Sequence, residues 1–186
     1  MTPFLSFYTP THRRPKALAA CMASVAAQTA VDDIEQVIVA DHVGTGMAGM
    51  FERIADYADA LHGRYIHVLS DDEILASPTV VADVRHFIRE NGYPTCVAVR
   101  VQYEEFGILP PPNFDGRPRL AQIGLSCLIT RGDFWRWMVA QGGYGRRYEG
   151  DYDFAQMAWE HGHPWVACPV IFTETGRSGQ GKPEAA

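Results

Sequence analysis

Asp71, Asp72 and Glu73 stand in succession where the apolar run 65–69 ends, and a strand end crowded with carboxylates must be neutralised somehow. At a spacing of about 5 Å and an effective dielectric of about 20, each pair repels by roughly 3 kcal/mol. Water, a basic side chain, a helix N-terminus or a metal ion could offset this. The donors are hard oxygens, so magnesium or manganese suits them better than zinc. An open α/β sheet binds phosphorylated ligands at this same edge. Were the strand to continue, Ser70 and Asp72 would share one side and Asp71 and Glu73 the other, which makes Asp72 the preferred metal ligand. Capping of the next helix by Asp71 and Asp72 accounts for the same residues equally well.

A second acidic group, Glu149-Gly150-Asp151-Tyr152-Asp153, precedes a segment with Phe154, Met157, Ala158 and His161 at helical spacing. Asp151 there is a helix cap or a general base exposed to an acceptor hydroxyl, and one residue can do both. Gly44-Thr45-Gly46 lacks the strand and helix context of a phosphate loop. His161 and His163 flank Gly162, an arrangement that suits a helix end before it suits a metal. Phe134, Trp135 and Trp137 read as core first and as a sugar platform second. The basic run Arg13-Arg14-Pro15-Lys16 is the obvious candidate for a local anion pocket.

These groups must be held by alternating strands and helices. Residues 4–8 read as a strand, broken by Thr9-Pro10-Thr11, and Pro15 opens a helix carrying Leu18, Cys21, Met22 and Val25 at helical spacing as far as Gln28. Residues 34–40 are a nearly all-apolar strand, as in a buried parallel sheet. Residues 47–61 read as a helix, 65–69 as a strand, and 77–91 as a helix stopped by Gly92-Tyr93-Pro94. This succession predicts a parallel, right-handed, doubly wound first half. The second half reads as strands at 96–101, 120–130 and 165–172, helices at 132–140 and 151–161, and a glycine-rich loop at 142–150, so the whole sheet is expected to be mixed. Residues 176–186 read as a flexible tail.

With 186 residues, 47% of them hydrophobic and 20% charged, the chain has the length and composition of one ordinary globular domain. A net charge of -6 argues against a broad nucleic-acid or anionic-membrane surface. The N-terminus has no signal-peptide pattern, and no apolar run is long enough to span a membrane. Cys21, Cys96, Cys127 and Cys168 are widely spaced in apolar segments and are expected to be reduced and buried in a cytoplasmic protein.

Four blocks, in order, give the chain a resemblance to family 2-type glycosyltransferases. The stretch from Phe4 to Pro15, with Leu18, Ser24, Val25 and Gln28-Thr29, is similar to that family's opening strand, "PTxNR" turn and "SxxxQT" helix end. Residues 34–41 resemble its second strand and nucleotide-contacting acid. Val68 to Pro78 resembles the "LDxDDxLxP" metal block, and Glu149 to Phe154 with Gly162 the late "EDxD…G" block. Ser70 stands where the family's first acid is common, Gly150 where its late glutamate is common, and His42 and Val43 replace the usual continuation after Asp41.

The resemblance implies an α/β, GT-A-like fold: a nucleotide-binding, Rossmann-like three-layer sandwich around a mostly parallel mixed sheet. One glycosyltransferase-like domain would span 1–175, with a nucleotide-binding half at 1–92 and an acceptor half at 93–175. It further implies an inverting hexosyltransferase that uses a nucleotide-sugar donor, a UDP-sugar in the first instance, and a carbohydrate or other hydroxyl acceptor. Thr9, Thr11, Arg13 and Asp41 would face the donor's base and ribose, with Asp71 also on the donor side. Asp72 would hold Mn2+ or Mg2+ on the diphosphate, and Asp151 would deprotonate the acceptor. A GT-A-like module that binds nucleotide-sugars but has lost turnover is the alternative. Thr9-Pro10-Thr11 is neither the glycine-rich loop of a nucleotidyltransferase nor the acid of an aspartyl phosphatase.

Overall fold

The computed structural model describes residues 2–145 and 149–175, so the expected tail at 176–186 and positions 146–148 of the glycine-rich loop lie outside the described residues. In chain order the elements are β1 (Leu5–Thr11), α1 (Pro15–Ala26), β2 (Ile34–Ala40), α2 (Gly46–Ile54), β3 (Tyr65–Val68), β4 (Glu73–Leu75), α3 (Val80–Glu90), β5 (Cys96–Tyr103), β6 (Gly107–Leu109), β7 (Leu128–Arg131), α4 (Gly132–Ala140), α5 (Gly150–His161) and β8 (Trp165–Thr175). The strands form one sheet in the order β2-β1-β3-β7-β5-β8-β4, with β6 paired to β5.

Strand pairing fixes which residues share an edge. β1 runs parallel to β2 and β3, β7 is antiparallel to both β3 and β5, and β8 is parallel to β5. The chain therefore runs the same way in β1, β2, β3, β5 and β8. It runs the opposite way in β7, in β6 against β5, and in β4 against β8. The carboxyl ends of the five co-directional strands thus make one rim, and the starts of β4 and β7 join it.

Alternation along the strands feeds two apolar layers, as a sheet covered on both faces requires. Leu5, Phe7, Tyr65 and Leu69 pack with Cys21 and Val25 of α1 and with Val80, Val81, Val84 and Ile88 of α3. Tyr8, Ile66 and Val68 pack on the other face with Phe51 and Ile54 of α2, Trp135 and Met138 of α4, and Phe154 and Ala158 of α5. Each of the large aliphatic and phenylalanine side chains among these contributes about 1.5–3 kcal/mol by leaving water. All four cysteines are free and buried.

Several boundaries differ from the pattern in the sequence. The expected strand at 120–130 is reduced to β7, because Leu125–Cys127 winds into a 3-10 turn. The expected helix at 47–61 stops at Ile54, and a separate 3-10 turn follows at Ala58–Ala60. β1 continues through Pro10 to Thr11. This is possible because β3 pairs only with Leu5 to Tyr8, so proline's missing N–H falls beyond that ladder. β4 and β6, three residues each, are too short to leave a period.

Candidate active site at the carboxyl rim of the sheet

After β3 the chain turns sharply instead of continuing as a strand: the Glu73 amide donates to the Ser70 carbonyl at 3.0 Å. This removes the alternation expected from the sequence. Asp71 and Asp72 both meet the guanidinium of Arg14, the residue just before α1. One guanidinium nitrogen pairs with Asp71 and the other donates to Asp72 Oδ2 at 2.7 Å. All three are nearly enclosed, with side-chain exposures of 11% for Arg14, 0% for Asp71 and 7% for Asp72. Pro15 at the first helical position fixes the entry of α1, so the preceding side chain crosses the end of the sheet. The neutralising partner is therefore a basic side chain.

Burial raises Asp71 above the usual carboxylate range, although the nearby Thr11 hydroxyl and the charge of Arg14 act the other way. Glu73 is 3% exposed, and burial pushes it up to about 8 against a hydrogen bond from Ser126. Its Oε2 has no hydrogen-bond partner among the described residues. Burial thus favours the protonated form of Glu73, which eases the repulsion among the three acids.

The other residues expected to face a donor are arranged unevenly. Asp41 organises the loop after β2: its Oδ1 accepts from the amides of Val43 at 3.0 Å and Gly44 at 2.9 Å. Its Oδ2 accepts from the Thr45 amide at 2.7 Å and pairs with Arg53 at 3.0 Å. Burial opposes ionisation there, but the bonds from Gly44, Arg53 and Thr45 win and hold Asp41 well below the ordinary range. Thr9 is fully buried, and its hydroxyl accepts from Gln36 Nε2 at 3.0 Å, within the sheet rather than at the rim. Arg13 is exposed, with a φ of 51°. Of the basic pair it is Arg14, not Arg13, that reaches the acids.

The second acidic group belongs to the same rim. α5 leads through a short turn into the start of β8, so its own start lies at the carboxyl edge, where Asp151 occupies the first turn. Asp151 Oδ1 accepts from the Tyr152 amide at 2.7 Å, and burial raises the carboxyl's proton affinity. A methyl placed on Gly124 would lie 3.3 Å from the Tyr103 hydroxyl and 3.8 Å from Asp151 Oδ2, so these two groups border one small space. Tyr103 ends β5. Burial raises its hydroxyl far above the usual tyrosine value, and the neighbouring acidic groups, Asp151 and Asp72 among them, add to the effect. Strand register agrees: Glu73 faces Thr175, which faces Tyr103. Asp72, Glu73, Tyr103 and Asp151 thus meet at one end of the sheet.

Gly150 is required by close approach. A Cβ there would lie 1.9 Å from the Tyr144 carbonyl oxygen and 2.7 Å from the Phe51 ring. The rings of Phe51, Tyr144 and Phe154 stack at centroid distances of 5.2 and 4.0 Å, holding the start of α5 against α2. No larger residue fits at position 150. His161 and His163 lie apart from this rim, each edge-on to a different tryptophan, Trp137 and Trp159.

Among the described residues no group of three or more histidines, cysteines or acids is placed to hold a metal. A hard divalent ion of the magnesium or manganese type does not need one, since it is commonly held by one or two carboxylates completed by a ligand's phosphates. Asp72, a carboxylate in the turn that follows β3 and already paired with a cationic group, Arg14, is the residue that would hold such an ion.

The fold is that of the GT-A-type glycosyltransferases. The chain is similar to TarS of S. aureus, at 13% identity and a TM-score of 0.66 over 95% of this chain and 37% of TarS. It is similar to residues 1–349 of TarS in complex with UDP-GlcNAc, at 13% identity and a TM-score of 0.67, covering 98% of this chain and 61% of that one. It is also similar to the mannosyltransferase PcManGT from Pyrobaculum calidifontis in complex with GDP-Man and Mn2+, at 12% identity and a TM-score of 0.62, covering 96% and 59%. The chain therefore spans less than two thirds of each of these proteins. No family model and no curated protein matches its sequence. Among the described residues no helix is long and apolar enough to cross a membrane.

Proposed function

We propose that the chain is a glycosyltransferase of the hexosyltransferase type, moving a sugar from a nucleoside-diphosphate donor to an acceptor hydroxyl with inversion. The observation that carries this reading is that the Asp72 turn and Asp151 share one rim of a GT-A fold, with Asp151 and Tyr103 bordering one small space there. The nucleotide falls to residues 1–92 and the acceptor to 93–175. Thr11, Arg13, Asp71 and the loop tied down by Asp41 face the donor, while Thr9 acts through Gln36 to keep β1 and β2 in register. UDP-sugars are the first donors to try, and GDP-sugars the second.

Asp151 is the general base. Its Oδ1 is fixed by the Tyr152 amide, which leaves Oδ2 for the acceptor beside Gly124 and the Tyr103 hydroxyl. Burial makes it a stronger base than a surface carboxylate. It takes the acceptor's proton as the acceptor oxygen bonds to the anomeric carbon, and the bond to the diphosphate breaks on the opposite face. A Mn2+ or Mg2+ ion held by Asp72 would stabilise charge on the departing diphosphate.

The test is a thermal-shift panel of UDP, GDP and their sugars with and without Mn2+, followed by transfer assays. One nucleotide family should stabilise the wild type, more so with Mn2+, and Asp72→Asn should lose the metal-dependent part. Asp151→Asn should keep donor affinity and lose about 10²–10⁴-fold in transfer. Unchanged transfer excludes Asp151 as the base. Donor binding without transfer to any acceptor leaves a nucleotide-sugar-binding module.

A further inference from the structure

We propose that Arg14 is a resident counter-cation that guards Asp72, so that a divalent ion takes this carboxylate only together with a diphosphate. This rests on the nucleotide-sugar reading of the rim. The planar fork of Arg14 spans two carboxylates at once, Asp71 through one nitrogen and Asp72 through the other at 2.7 Å. With both carboxylates almost fully enclosed, a metal arriving alone must expel a charged group that has no equally good place to go. Removing one partner from an enclosed ion pair leaves the other uncompensated, and that is strongly unfavourable.

A diphosphate changes the balance. Its oxygens complete the coordination of a magnesium- or manganese-like ion that Asp72 alone cannot satisfy. They also give the released arm of the Arg14 fork an anion to pair with, in the planar geometry for which arginine is suited. With its pair to Asp71 kept, the whole planar guanidinium needs only to pivot about that contact, rather than be extracted. The start of α1 at the next residue favours a phosphate on the same side. Ion and nucleotide therefore bind with positive coupling, and by linkage each raises the other's affinity by the same factor.

The experiment measures Mn2+ binding to the full chain by electron paramagnetic resonance of the free ion, first with Mn2+ alone and then with UDP or GDP. Wild type alone should bind Mn2+ weakly, Arg14→Gln should bind it about tenfold tighter, and Arg14→Gln with Asp72→Asn should lose that gain. In wild type the nucleotide that binds should raise Mn2+ affinity about tenfold, and Arg14→Gln should shrink that enhancement. Arg14→Lys, which keeps the charge but not the fork, should fall between the two and serves if the glutamine variant does not fold. Equal Mn2+ affinity in wild type and the Arg14 variants overturns the proposal, as does tight Mn2+ binding by wild type without nucleotide. If neither nucleotide binds, the donor reading fails separately, while the Mn2+-alone comparison still tests the guarding role of Arg14.

Discussion

His67 lies in the middle of β3, 1% exposed, with its ring edge-on to Phe7 and Phe172 at centroid distances of 5.7 and 5.0 Å. Its Nδ1–H donates to the Leu128 carbonyl at 2.9 Å, and Nε2 has no partner among the described residues. Burial lowers its pKa from 6.5 to about 4, with the bond to Leu128 acting weakly the other way. The folded value lies below the unfolded one, so the contribution to stability is fully present above pH 6.5 and is lost as pH falls toward 4. In that window the unfolded chain takes up a proton that the native core refuses. At 1.36 kcal/mol per unit, the loss is about 3 kcal/mol, a large share of a typical domain's stability of about 5–15 kcal/mol. Asparagine places an amide nitrogen near the position of Nδ1 and does not titrate, so His67→Asn isolates the effect from the carboxylates that titrate nearby. Urea unfolding at pH 7, 5.5 and 4.5 should show the wild type losing stability faster than the variant, the gap closing by about 2.5 kcal/mol at pH 4.5. Parallel curves for the two proteins would refute the neutral-histidine account.

Two further substitutions probe the supports of the site. Gly150→Ala puts a methyl 1.9 Å from the Tyr144 carbonyl, so the start of α5 must shift; we expect a loss of about 1–3 kcal/mol in urea unfolding, together with weakened transfer, because Asp151 is the next residue. Asp41→Asn keeps one oxygen for the Val43 and Gly44 amides but sets an NH2 donor against the Thr45 amide and removes the counter-charge of Arg53, which should cost about 2–3 kcal/mol at pH 7. Because the folded pKa of Asp41 is depressed, its contribution is present above the ordinary value of 3.8 and fades as pH drops below it, so the gap between wild type and variant should narrow in acid.

The dense packing at position 150 also bears on the departure from the glycosyltransferase pattern there. Where that pattern has a glutamate, this chain has the Phe51–Tyr144–Phe154 stack pressed against the helix start, and a side chain has no room. Glu149, one residue earlier, sits at the N-cap position instead.

Local chemistry carries much of this protein. β2 and α4 match the ranges expected from apolar runs and spacing, since runs of Ile, Val and Ala or a repeat of 3.6 act over neighbouring residues. Pro15 marked the start of α1 in the same way. Asp72 and Asp151 stood out because acids at strand and helix ends are visible without knowing what lies opposite. What faces those acids depends on residues far along the chain. The turn at Ser70, which is closed by a single backbone bond, cancelled the side-to-side alternation, and Arg14 reached across 58 positions to take both aspartates. Tyr103 lies just past the strand expected at 96–101 and Gly124 inside the one expected at 120–130; nothing in either segment marks them for chemistry, and they join the site through the pairing of β5 with β7 and β8. A sequence can show which groups will bear charge, but the partners that set their ionisation are chosen by strand order, because electrostatic forces in an enclosed rim depend on distances of a few ångströms that only the assembled sheet defines.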